Sequence, residues 1–140
     1  MKHTLTTIIL VTLTICSFVK ADEVLWDELL EKNGIYYTES LDAPFDGKVI
    51  GSQSGILLKG KKNGVWTGFY DNGKVLWEGK YNQGIILTWK EYHSNGEVFV
   101  TGNYKAGKKT GLWNIYNKNG NLIAQEVFKR GKVIHTKIIK

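Results

Sequence analysis

The chain has 140 residues, 42% of them apolar and 23% charged, with a formal net charge of +6. That balance fits a single globular domain and excludes an intrinsically disordered chain, which lacks the apolar content to fold. A single cysteine, Cys16, excludes an intramolecular disulfide framework.

The run MKHTLTTIILVTLTICSFVKADE begins with Lys2 and His3, continues uncharged from Thr4 to Val19, and ends in Val19-Lys20-Ala21. This is the order of a secretory signal peptide, so residues 1–21 are expected to be cleaved near Ala21 and the product to be periplasmic or secreted. The uncharged stretch is shorter than the ~20 residues a membrane-spanning helix needs, which disfavours a retained anchor. Leu13-Thr14-Ile15-Cys16 loosely resembles a lipoprotein acylation site, but Ile15 stands where a small residue is required. Asp22 to Asp46 carries eight acids and one base, net −7, whereas Gly47 to Lys140 carries sixteen bases and five acids, net +11. The expected mature protein is an acidic head on a basic body.

Within that head, ADEVLWDELLEKNG places Val24, Leu25, Leu29 and Leu30 at near-helical spacing, with acids early, Lys32 late and Gly34 as a stop. The spacing predicts a capping helix over 22–33. A short strand at Ile35 to Tyr37, a turn around Asp42 to Pro44 and a strand at Lys48 to Ile50 follow.

From there the chain repeats. Aligned on Trp66, Trp89 and Trp113, the pattern W-x2-[FY]-x3-G-x7-[YF]-x2-G occurs three times, with registers of 23 and 24 residues. Its aromatic positions are Trp66, Phe69 and Tyr81, then Trp89, Tyr92 and Tyr104, then Trp113, Tyr116 and Phe128. Full units span about 64–85, 86–110 and 111–132 within a repeat region over 34–140. A degenerate unit over about 45–63 has Gly55 only five residues before Gly60, where full units leave eleven, and so reads as lacking one short strand.

Each unit reads as a β-hairpin turning at Asn72-Gly73, Asn95-Gly96 or Asn119-Gly120, because both residues tolerate the positive φ of a tight turn. Gly79 and Gly102, in mid-strand, are expected to leave room for an aromatic ring. Glu126 takes the same place in the last unit and closes the stack with a more polar face. A lone hairpin cannot bury its apolar face, so these nine aromatics are expected to form a core shared between units. The predicted fold is mainly β, an antiparallel hairpin-repeat sheet with one short N-terminal helix.

These units resemble MORN repeats (membrane occupation and recognition nexus), in the variant form of bacterial proteins labelled YwqK-like antitoxin components. GIYYTESLDAPFDGKV, Gly34 to Val49, is similar to the entry segment of that family. The resemblance implies a scaffold for protein or membrane contacts rather than an enzyme, with an antitoxin-like role as a further alternative.

The residues themselves carry no catalytic pattern. His93 and His135 lack a cysteine partner or metal-ligand spacing and read as solvated. The glycines fall in turns and strands rather than in a phosphate-cradling loop, and Glu78, Glu91 and Glu97 are not placed in one cleft by any motif. No catalytic, metal or cofactor site and no small-molecule substrate is therefore expected. The basic residues do form a pattern: Lys59, Lys61 and Lys62, then Lys105, Lys108 and Lys109, then Lys129, Arg130 and Lys132, cluster near corresponding turns. They predict a row along one edge of the sheet, suited to anionic lipid, a cell-wall polymer or an acidic protein. Lysines at turns also keep a sheet soluble. The first reading is an exported scaffold binding another envelope or secreted protein; the alternative is an anionic surface, with nucleic acid disfavoured for an exported chain.

Overall fold

The computed structural model describes residues 22–40 and 42–140, so the expected signal segment 1–21, with Cys16 and Ala21, lies outside the described residues. The strands are β1 (Glu23–Leu25), β2 (Leu30–Lys32), β3 (Ile35–Tyr37), β4 (Gly47–Ile50), β5 (Gln53–Leu58), β6 (Lys61–Phe69), β7 (Val75–Asn82), β8 (Ile85–Tyr92), β9 (Val98–Lys105), β10 (Lys108–Tyr116), β11 (Leu122–Lys129) and β12 (Lys132–Ile138). Ten form one sheet in the order β1-β4-β5-β6-β7-β8-β9-β10-β11-β12, and β2 pairs with β3 alone. From β4 onward every strand pairs antiparallel with its sequence neighbour, which is the sheet of successive hairpins that the repeat predicts.

The two ends of the hairpins turn differently. At one end Gly73 N–H donates to Tyr70 C=O at 2.8 Å and Tyr70 N–H to Lys74 C=O at 2.8 Å, a type I turn closed by a left-handed glycine. The same bonds recur at His93 to Glu97 and Asn117 to Asn121, and Asn72, Asn95 and Asn119 keep negative φ. The hairpins therefore fall where Asn-Gly predicts them, but only the glycine bends left-handed. At the opposite end Lys59-Gly60, Gln83-Gly84, Ala106-Gly107 and Arg130-Gly131 have positive φ at both residues, the two-residue turn that matches strand twist.

One cross-strand row organises the core. Val24 lies opposite Val49, Val49 opposite Gly55, Trp66 opposite Gly79, Gly79 opposite Trp89, Trp89 opposite Gly102, Trp113 opposite Glu126, and Glu126 opposite Thr136. Large and small residues alternate through the repeats, and the Trp66 and Trp113 rings lie over the strand before them. A Cβ on Gly55 would stand 2.5 Å from the Trp66 ring, and one on Gly102 closer still to Trp113. The row also corrects the alignment of the degenerate unit. Gly55, five residues before Gly60, matches Gly79 and Gly102, and Leu57 takes the place of Tyr81 and Tyr104. Both strands are present as β4 and β5; the unit is short because its turn at Gly51-Ser52 is short.

The capping helix expected over 22–33 does not form. Glu23–Leu25 is a strand, Trp26–Glu28 a single 3₁₀ turn, and Leu30–Lys32 the first arm of a hairpin turning at Asn33-Gly34, φ 55° and 78°. A twelve-residue helix is marginal alone, while the open side of β4 needs hydrogen-bond partners. Lys48 N–H donates to Asp22 C=O at 2.8 Å, β1 pairs parallel with β4, and Val24 is buried. Trp26 then packs 5.7 Å from Trp66 and 5.2 Å from Tyr36.

Two closed clusters result. One holds Val24, Val49, Leu57 and Trp66, flanked by Trp26, Leu29, Tyr36, Phe45, Trp77 and Tyr81. At the other end Trp113 and Phe128 are buried with ring centres 5.7 Å apart, and Tyr104 stands edge-on to Trp113 at 5.3 Å.

Candidate functional site

Strand alternation sorts the nine repeat aromatics onto two faces. Trp66, Tyr81, Trp89, Tyr104, Trp113 and Phe128 share the face of the Trp-Gly row. Trp66, Trp113 and Phe128 are buried there, and Tyr81, Trp89 and Tyr104 half-buried. Phe69, Tyr92 and Tyr116, three residues after each Trp, belong to the other face and are half-buried. Tyr92 shows this directly: its hydroxyl donates to Glu78 Oε2 at 2.8 Å and Lys90 Nζ lies 5.0 Å from its ring.

The lysines divide in the same way. Lys62 and Lys109 stand four residues before Trp66 and Trp113 and opposite Leu57 and Tyr104, so strand alternation sets each over the aromatic face; the register irregularity at Gly64 and Gly111, φ 73° and 66°, falls between lysine and Trp. Lys62 Nζ stands 4.4 Å from the Trp66 ring centre, 4.6 Å from Trp26, 5.4 Å from Trp77 and 5.5 Å from Tyr81, and donates to Gln53 Oε1 at 2.8 Å. Burial lowers its pKa to about 8, and the ring faces oppose that loss of charge. Lys109 repeats the arrangement 4.1 Å from Trp113 and 5.0 Å from Phe128. Lys62 is thus half-buried in the folded protein's own aromatic cage, a place the expected edge row does not foresee.

Lys59, Lys61, Lys105, Lys108, Lys129, Arg130 and Lys132 are exposed. They do not make a continuous row, because the Gln83-Gly84 turn between the first and second clusters is uncharged. The first cluster borders a depression of about 540 Å³ shared with Asp46, Leu58, Asn63, Asn82 and Gln83. Asp46 also accepts the Lys59 backbone N–H at 2.6 Å. The second and third clusters do converge. Lys105, Lys108, Lys109, Lys129 and Arg130, with Ala106 and Thr110, line one depression of about 570 Å³ that contains no carboxylate. They meet because their turns lie two strands apart on the same end of the sheet, a separation of about 10 Å. Lys108 packs beneath Gly131, whose N–H donates to Lys109 C=O at 3.0 Å.

Several contributors are not singled out by the repeat. Trp26, Trp77 and Gln53 complete the Lys62 cage, and only the chance of strand order brings Trp26 there. His93, expected to be solvated, is half-buried: its Nε2 meets Tyr116 C=O at 2.9 Å and its ring lies 5.0 Å from Phe99. Tyr70 makes the equivalent link one repeat earlier, its hydroxyl donating to Tyr92 C=O at 2.7 Å, so His93 ties neighbouring turns. His135 is exposed on β12. Burial raises the Tyr36, Tyr81, Tyr92 and Tyr104 hydroxyls above their ordinary pKa, with Glu31 adding to it at Tyr36 and Glu91 at Tyr104.

Comparison with protein families finds the MORN repeat variant at residues 62–83, 87–106 and 109–130, the three full units. MORN repeats mediate protein or membrane interactions and are a binding type of repeat. No curated protein matches the chain.

Proposed function

We propose that this protein is an exported, non-catalytic interaction scaffold that docks an acidic envelope or secreted protein at its C-terminal basic depression. The convergence of Lys105, Lys108, Lys109, Lys129 and Arg130 without a carboxylate supports this reading. Five cations on a concave surface attract anions far more than isolated lysines do, because their fields add where water is partly excluded. Export rests on the signal-like run before Asp22, and a mature N-terminus at Asp22 by terminal mass analysis is the expected result.

The same convergence favours a second reading, attachment to an anionic lipid or cell-wall polymer, since point charges on flexible stems do not select a carrier. One variant tests both. Lys105→Gln, Lys108→Gln, Lys129→Gln and Arg130→Gln together leave Lys109 on Trp113, so the melting temperature should hold. Attachment to polyglutamate at low salt should fall at least about tenfold, a loss of about 1.4 kcal/mol. Equal attachment of wild type and variant would make these cations a solubility device. Wild-type binding to anionic vesicles but not to polyglutamate would select the second reading, with steep weakening at high salt.

A further inference from the structure

The two edges of the ten-stranded sheet are finished differently. At the N-terminal edge the chain caps itself: β1 is three residues long, and the 3₁₀ turn and the β2–β3 hairpin follow it at once. At the other edge β12 runs seven residues, all exposed, and among the described residues no strand pairs with its outer side. Ile139 N–H donates to Ile123 C=O at 2.8 Å, and antiparallel bonding alternates along a strand. Lys137 and His135 therefore bond inward to β11, and Thr136 and Ile138 turn their N–H and C=O groups to the free side.

The side chains on this edge carry a consistent chemistry. Val133, Ile134 and Ile138 are 48%, 60% and 68% exposed, more apolar surface than an edge strand ordinarily leaves uncovered. Val133 and Ile138 lie opposite Phe128 and Ala124, so they extend the buried Trp113 cluster toward the edge. From Gly131 to Lys140 there are three cations, Lys132, Lys137 and Lys140, and no Asp or Glu. The array also does not continue by its own repeat. Thr136 stands in the Trp position, and Glu126 fills the space a further Trp ring would need.

We propose that β12 is a docking edge for an acidic, extended segment of another polypeptide, which adds as a strand beside it. Backbone bonds to Thr136 and Ile138 would supply the pairing, Val133 and Ile138 the apolar contact, and Lys132 and Lys137 the preference for acid. A second copy docking by the same edge would set cation against cation. This proposal goes beyond the depression, which lies at the turns.

The test uses residues 22–140 and two blocked peptides of about eight residues, one alternating glutamate with valine and its lysine twin. The acidic peptide should bind saturably and slow amide exchange at Thr136 and Ile138; the lysine peptide should not. Thr136→Pro removes a donor on the free side only, so it should weaken the acidic peptide at least about tenfold. The four-residue Gln variant at the depression should keep the protection at Thr136 and Ile138, which separates the two sites. Equal binding of the twin peptides, or binding without protection of those two amides in the wild type, would overturn the proposal. So would protection that appears with protein concentration alone, which would make the occupant a second copy.

Discussion

Trp66 and Trp113 on one side and Trp89 on the other occupy the same repeat position and end in different environments. The first two are buried, and their indole N–H groups donate to main-chain carbonyls, Trp66 to Ile56 at 3.0 Å and Trp113 to Asn103 at 3.2 Å. Trp89 is half-buried, stacks on Trp77 at 4.9 Å and 18°, and its N–H reaches only Glu91 Oε2, at 3.4 Å. The cause is one residue. Five residues separate Gly60 from Trp66 and Gly107 from Trp113, but four separate Gly84 from Trp89. Between Gly84 and Trp89 the run Ile85-Ile86-Leu87-Thr88 has no counterpart of the positive-φ Gly64 and Gly111, so the strand does not fold the indole down onto the preceding strand. A Cβ on Gly79 would accordingly stand 3.4 Å from Trp89, where those on Gly55 and Gly102 would strike their Trp rings. Ile86 also replaces the lysine that covers the ring in the outer units. One deletion thus opens the centre of a face that is closed at both ends.

The largest test of this contrast is truncation. Trp113→Ala and Trp66→Ala should each cost about 3–5 kcal/mol, and Trp89→Ala roughly half as much, by denaturant unfolding. Equal costs would mean that the central ring is as well packed as the outer ones. Next, Gly102→Ala should destabilise by up to about 3 kcal/mol, because the buried Trp113 has nowhere to move, and Gly79→Ala by about 1, because its neighbours Tyr81 and Trp89 are half-free. Melting temperatures that rank the other way would break the comparison.

A gain of function in packing sharpens it further. Replacing Ile85-Ile86-Leu87-Thr88 with Lys-Lys-Thr-Gly-Leu restores the outer-unit sequence and should stabilise by about 1 kcal/mol, the value of one satisfied indole hydrogen bond. A blue shift of indole emission should accompany it; an unchanged spectrum would show that the glycine alone does not lower the ring. The smallest effect concerns Lys62. Its folded pKa of about 8 lies below the ordinary lysine value of 10.5, so the unfolded chain holds this proton longer. Stability should therefore rise slightly as pH increases through about 8 toward 10, and the raised tyrosine values reverse the trend above 10. In Lys62→Met the rise should disappear while the fall above pH 10 stays.

Much of this was legible in the residues. Three copies of one spacing imply hairpins that must share a core, and Gly102 marks where the Trp113 ring lies, while Gly79 holds no ring from the next strand in that way. The N-terminal segment was not legible, because Val24, Leu25, Leu29 and Leu30 suit a helix as well as they suit a strand and turn. The unpaired side of β4 chose between them, and that side exists only once the sheet is built. The lysines show the same division. Sequence determines that they cluster at inter-repeat turns, since the repeat carries them there. Only the tertiary structure decides that Trp26 and Trp77 join Trp66 around Lys62, and that five cations meet around one depression. Those outcomes depend on strand order and strand spacing, which bring together residues that no local pattern relates.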